Sequence, residues 1–108
     1  MTWAFLQAWL ATVVIEVPIV AWCFPAQRRR MAVVCLAATT ATHAAMHFLL
    51  PPLVDSLGQW VIVGESSATV LEAAVYAVAS RPRSLPRALI ASALANGLSF
   101  AAGLLLFR

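Results

Sequence analysis

The chain reads as an all-α integral membrane protein: a four-helix bundle, up-down-up-down, with both termini on the non-cytoplasmic side. Three observations predict this. Of 108 residues, 63% are hydrophobic and only 10% charged, against about 25% charged in an average soluble chain. The apolar residues gather into four segments of about 20 residues or more, enough to cross a hydrocarbon core of roughly 30 Å at 1.5 Å per residue. The arginines gather between segments, not within them. So few charges cannot solvate a globule, which excludes a soluble fold, a disordered tail and a nucleic-acid module. Strands are excluded too, because an open sheet edge cannot sit in lipid and a barrel's eight or more strands do not fit.

The segments follow in order as one domain, 1–108. The first covers about 3–24 and stops at Pro25 and the cluster Arg28, Arg29 and Arg30. Met1 and Thr2 give no positive leader and no small-residue cleavage site follows, so this is a retained helix, not a signal peptide. Pro18, two residues after Glu16, is expected to kink it and free carbonyls of the preceding turn. The second covers about 31–50 and halts at Pro51 and Pro52. The third covers about 59–80, before Arg81 and Pro82. The fourth covers about 85–107, with Pro86 in its first turn, where a missing N–H costs nothing. Trp3, Trp22, Trp60 and Phe107 fall near segment ends, where interfacial aromatics belong.

Charge sets the expected orientation. Net charge is +3 with no Lys, and six of the seven Arg lie in loops 25–30 and 81–87, which hold no acid. The middle loop carries only Asp55. The positive-inside bias places both Arg loops in the cytoplasm and the protein in a cell (inner) membrane. Basic residues interleaved with aromatics are absent, so nucleic acid is not a partner. The expected partners are the lipid bilayer and either further copies of the chain or a larger membrane complex. Cys23 and Cys35, twelve apart, match no metal or redox spacing and read as small packing residues.

The residues that point to function are polar and lie inside the spans. Glu16 stands in the first; His43 and His47, after Thr39, Thr40 and Thr42, in the second. Glu65, Thr69, Glu72 and Tyr76 in the third have offsets of 4, 7 and 11, as do Ser92, Asn96, Ser99 and Gly103 in the fourth. Such offsets lay each set on one helical face, since seven residues return within about 20°. An ionised acid at a helix centre costs about 2.5–3.5 kcal/mol to insert, so three Glu cost on the order of 8–10 kcal/mol. Protonation, pairing or a wet cavity must lower that penalty, and a shared bundle interior permits all three. Counting from the cytoplasmic ends gives depths of roughly 12–15 Å for Glu16 and Glu72, and about 18–22 Å for His43, Glu65 and Asn96. Two adjoining polar layers are expected: Glu16 with Glu72 and Tyr76, then His43 with Glu65 and Asn96.

Such groups suit a small cation. His43 and His47 at i, i+4 are spaced for two imidazoles on one divalent transition metal, with Glu65 a candidate third ligand. The same groups and the acids Glu16 and Glu72 could instead relay protons. Tyr76, Asn96 and Ser99 would orient them. The expected function is therefore binding or passage of a proton or transition metal. The alternative is a non-transporting accessory subunit, its small-residue pairs (Gly97 with Ala101, Ser99 with Gly103) serving helix assembly. An enzyme ranks third, because no nucleophile–base pair or catalytic motif is present. Length, four spans and an acid in the first helix resemble the small multidrug resistance transporters, dual-topology dimers with one essential Glu. The likeness stops at Glu16. Paired His and two acids in segment three stand where that family has aromatic and Gly-rich packing, and the Arg bias opposes dual topology.

Overall fold

The computed structural model describes residues 3–106; Met1, Thr2 and Phe107, used above for the leader and an interfacial aromatic, lie outside the described residues. Four helices account for most of the chain: α1 (Trp3–Cys23), α2 (Arg28–Phe48), α3 (Leu57–Ala79) and α4 (Leu85–Leu106). No strand occurs among the described residues. Each helix is long and apolar enough to cross a membrane, and the 40 Å long axis exceeds a hydrocarbon core of about 30 Å.

Local chemistry explains each boundary. α1 runs unbroken through Pro18, which is exposed. A short 3-10 turn, Pro25–Gln27, leads straight into α2 at Arg28, three residues before the expected start. The Arg triplet is therefore the first helical turn and not a loop, in keeping with the high helix propensity of Arg. α2 ends at Phe48 because Pro51 and Pro52 have no N–H to continue the ladder. α3 starts two residues early, at Leu57, through an end cap of the Ser-x-x-Gln kind. Ser56 Oγ accepts the Gln59 N–H at 3.1 Å, and Gln59 Oε1 accepts the Asp55 N–H at 2.7 Å. Pro86 occupies the first turn of α4, as expected.

The helices close into a ring in which α1 packs on α2 and α4, and α3 packs on α2 and α4. The α2–α3 seam is the sparsest of the four. Gly64 of α3 is buried there against Met46, whose side chain a Cβ would strike. α4 meets its neighbours through Ala88, Ala91, Ser92 and Ala95, all buried, so its backbone approaches closely. Large apolar side chains such as Leu10, Val14, Ile62, Val70, Ile90 and Leu98 instead point outward. Lipid is the solvent that suits that surface.

One end of the interior is filled by an apolar plug that includes Val20, Phe24, Met31, Cys35, Tyr76 and Ala91. Both Arg segments lie at this end. Arg30 Nε donates to the Ala79 carbonyl at 2.7 Å, Arg87 Nη1 to that of Cys23 at 2.8 Å, and the Arg81 N–H to Gln27 Oε1 at 2.8 Å. Guanidiniums thus satisfy carbonyls left over at the ends of α1 and α3, where a positive charge also complements the helix dipole. Both cysteines are free thiols, and Cys35 packs in the plug 3.6 Å from Thr39 Oγ1.

Candidate functional site

Directly beyond the plug lie Glu16 and Glu72, each only 1% exposed and within interaction range of the other. Every helix contributes to their surroundings. Glu16 Oε2 accepts a hydrogen bond from Ser99 Oγ of α4 at 2.6 Å, and its Oε1 one from Thr39 Oγ1 of α2 at 3.2 Å. Glu72 Oε2 accepts from Thr42 Oγ1 at 2.7 Å. Its Oε1 accepts from the Tyr76 hydroxyl and from Asn96 Nδ2, both at 3.2 Å. Asn96 is itself fixed by donation to the Ser92 carbonyl at 2.9 Å, and Ser92 Oγ ties α4 to α3 through the Thr69 carbonyl at 2.7 Å. Five donors therefore converge on two carboxyls, and none of the five is basic.

A cavity of about 450 Å³ leads from this pair toward the other end of the bundle. Glu16, Glu72, Asn96 and Ser99 line its inner end, and Phe5, His47 and Trp60 line its outer part. Glu65 also lines it, half-buried on the face it shares with Glu72. Near the mouth, Phe5 packs on His43, His47 and Phe48 with ring centroids 5.0, 5.2 and 5.1 Å away. The two imidazoles are 4.3 Å apart, and Trp60 stands edge-on to His47 at 5.4 Å. The Trp60 indole N–H donates to the Met46 carbonyl at 2.6 Å, which sets its ring against the cavity. His47 Nδ1 bonds the His43 carbonyl at 3.0 Å, and His43 Nε2 is buried with no hydrogen-bond partner.

Of the two expected layers, the first is assembled, with Asn96 joining Glu72 instead of His43. His43 and His47 share a face as expected, but they pack in an aromatic cluster. Among the described residues no three His, Cys, Asp or Glu side chains are grouped to hold a metal, so His43, His47 and Glu65 do not form a three-ligand set. Ser99 and Gly103 face the interior: Ser99 bonds Glu16, and Gly103 is half-buried and lines the cavity. Sequence reasoning left Thr39 and Thr42 out of the site. Their signal was positional, because offsets of 4 and 7 from Cys35 put them on its face. Thr40 falls off that face and takes the Trp9 indole N–H at 2.9 Å instead. Phe5 was missed because a lone aromatic in an apolar run carries no pattern of its own. No family model matches this chain, and neither the curated proteins nor the solved structures give a match.

Proposed function

We propose that this protein is a multi-pass membrane protein that binds a small cation at the Glu16–Glu72 pair and passes it across the bilayer, the cation being a proton in the first instance. The observation that carries this reading is the donor-only shell around two buried carboxyls. The chain sets hydroxyls and an amide on them and no basic side chain among those partners. Two such acids in a low-dielectric interior need a positive counterpart, and a proton or a bound cation is what remains. A proton ranks above a transition metal because the described residues offer no three-ligand cluster. The cavity would admit the ion from one side, and the apolar plug would close the other, so passage would require the plug to open.

Purified protein in liposomes loaded with a pH-sensitive dye tests the reading. With an imposed potential, wild-type vesicles should acidify or alkalinise faster than empty ones. Vesicles indistinguishable from empty ones, from protein that also holds no metal by elemental analysis, would overturn it. In the proposed orientation both termini and Asp55 are outside and the Arg segments are cytoplasmic, the helices alternating in direction. Cysteine labelling in a Cys23- and Cys35-free background reads this out. An impermeant reagent should modify a cysteine placed at position 55 and spare one at position 84; the reverse pattern would invert the topology.

One observation favours the accessory-subunit alternative. Ala93, Gly97 and Ala101 form an exposed small-residue face on α4, and an added Cβ at Gly97 meets nothing. A second helix could approach closely there. Under that reading the detergent-extracted protein travels with a larger membrane partner and vesicles of the chain alone are tight.

A further inference from the structure

Six guanidiniums and no carboxylate belong to the segments at one end of the bundle, and the carboxyl pair uses none of them. Two of them stand over one end of the α2–α3 seam: Arg30 Nε on the Ala79 carbonyl at 2.7 Å, and Arg81 Nη1 on the Val78 carbonyl at 3.4 Å. Each has N–H groups beyond the one engaged there. Arg28 and Arg29 are exposed on the first turn of α2 beside them. Beneath these arginines opens an apolar groove of about 670 Å³. Its walls include Val34, Ala37 and Ala38 of α2 and Ala74, Val75 and Val78 of α3. Val34 is one turn from Arg30, and Val78 carries the carbonyl that Arg81 holds. A cluster of guanidiniums and the start of an open apolar groove therefore coincide.

We infer that this end of the α2–α3 seam is a binding site for an anionic phospholipid. Its phosphate sits on Arg28, Arg29 and the spare N–H groups of Arg30 and Arg81, and one acyl chain lies in the Val34–Val78 groove. Charge decides the occupant. A zwitterionic lipid carries its own ammonium into a cluster that has no acid to receive it. A second copy in the same orientation brings six more guanidiniums against the first six. An anionic lipid neutralises the cluster, and guanidinium–phosphate bonds are charge-assisted and often bidentate. The alanines matter equally, because they leave the depression that larger side chains would fill.

The test compares phosphatidylglycerol with phosphatidylcholine of the same acyl chains. Each is added to the purified full-length protein in detergent, and lipid retained per chain is counted by native mass spectrometry. Wild-type protein should keep one phosphatidylglycerol in preference. Arg28→Gln with Arg29→Gln should weaken that retention about 25-fold, since an Arg near an anionic surface contributes about fivefold. Ala37→Leu with Ala74→Leu fills the groove, leaves every Arg in place, and should weaken it as well. Equal retention of the two lipids by the wild type overturns the site, and that comparison needs no variant. Retention that survives groove filling, or that inorganic phosphate at millimolar concentration abolishes, reduces it to surface charge and overturns it too. A protein dimer with no lipid would make the second copy the occupant.

Discussion

Glu72→Gln should leave the bundle as stable as the wild type while lowering ion flux at least about a hundredfold, the lower end of what a positioned proton-transfer group contributes. Stability survives because the network tolerates an amide. The Tyr76 hydroxyl and Asn96 Nδ2 donate to one carboxyl oxygen, which the new carbonyl replaces. Thr42 donates to the other oxygen, and its hydroxyl can rotate to accept from an amide nitrogen. Only the ability to carry a proton or balance a cation is lost. Glu16→Gln should behave alike, since its partners Ser99 and Thr39 are both hydroxyls. Glu72→Ala is the contrasting control. It strands the Tyr76 hydroxyl and one N–H of Asn96, while Thr42 can turn to the Thr39 carbonyl at 3.2 Å. At about 1–3 kcal/mol for each donor left unsatisfied, the melting temperature in detergent should fall clearly. Gln variants that conduct normally would show that the acids only hold helices together.

Ala91→Leu should be the most damaging single change in the apolar interior. Ala91 is fully buried with Ala88 and Ala95 in the face that α4 turns toward the plug. Adding three carbons there forces the helices apart, at about 1–3 kcal/mol or more. The shift also reaches Ser92 and Asn96 on the same buried face, which position Glu72. Thermal unfolding in detergent should therefore fall well below wild type, and flux should fall with it. Ala93→Leu, on the exposed side of the same helix, should change neither in the isolated chain. Equal effects at positions 91 and 93 would mean that α4 does not pack as described.

Much of the fold was legible because the bilayer imposes it. Helix count came from apolar length, and the inward faces of Glu72, Tyr76, Ser92 and Asn96 from seven-residue spacing. Boundaries were less legible where polar residues obey local rules: the Arg28–Arg30 triplet has the propensity to continue a helix, and Ser56 with Gln59 caps one early. Within the site, depth along the axis predicted the meeting of Glu16 and Glu72. Depth says nothing about rotation, so it could not choose between Glu72 and His43 as the partner of Asn96. Nor could it reveal that His43 would settle against Phe5, a contact between helices with no periodic signature.

The unequal filling of the bundle has an electrical consequence. A cavity that holds water lies close to the potential of the solution it opens to. The transmembrane voltage would then fall mainly across the apolar plug, the seven helical rises from Glu16 to Cys23, about 10 Å of helix. A full membrane potential of about 100 mV is worth about 2.3 kcal/mol per elementary charge. Concentrated over a third of the bilayer, it becomes a field roughly three times the average one. A charge reaching the carboxyl pair from the cavity would feel little of it, and a charge leaving through the plug nearly all. Voltage would thus act on the opening of the plug far more than on occupancy of the site.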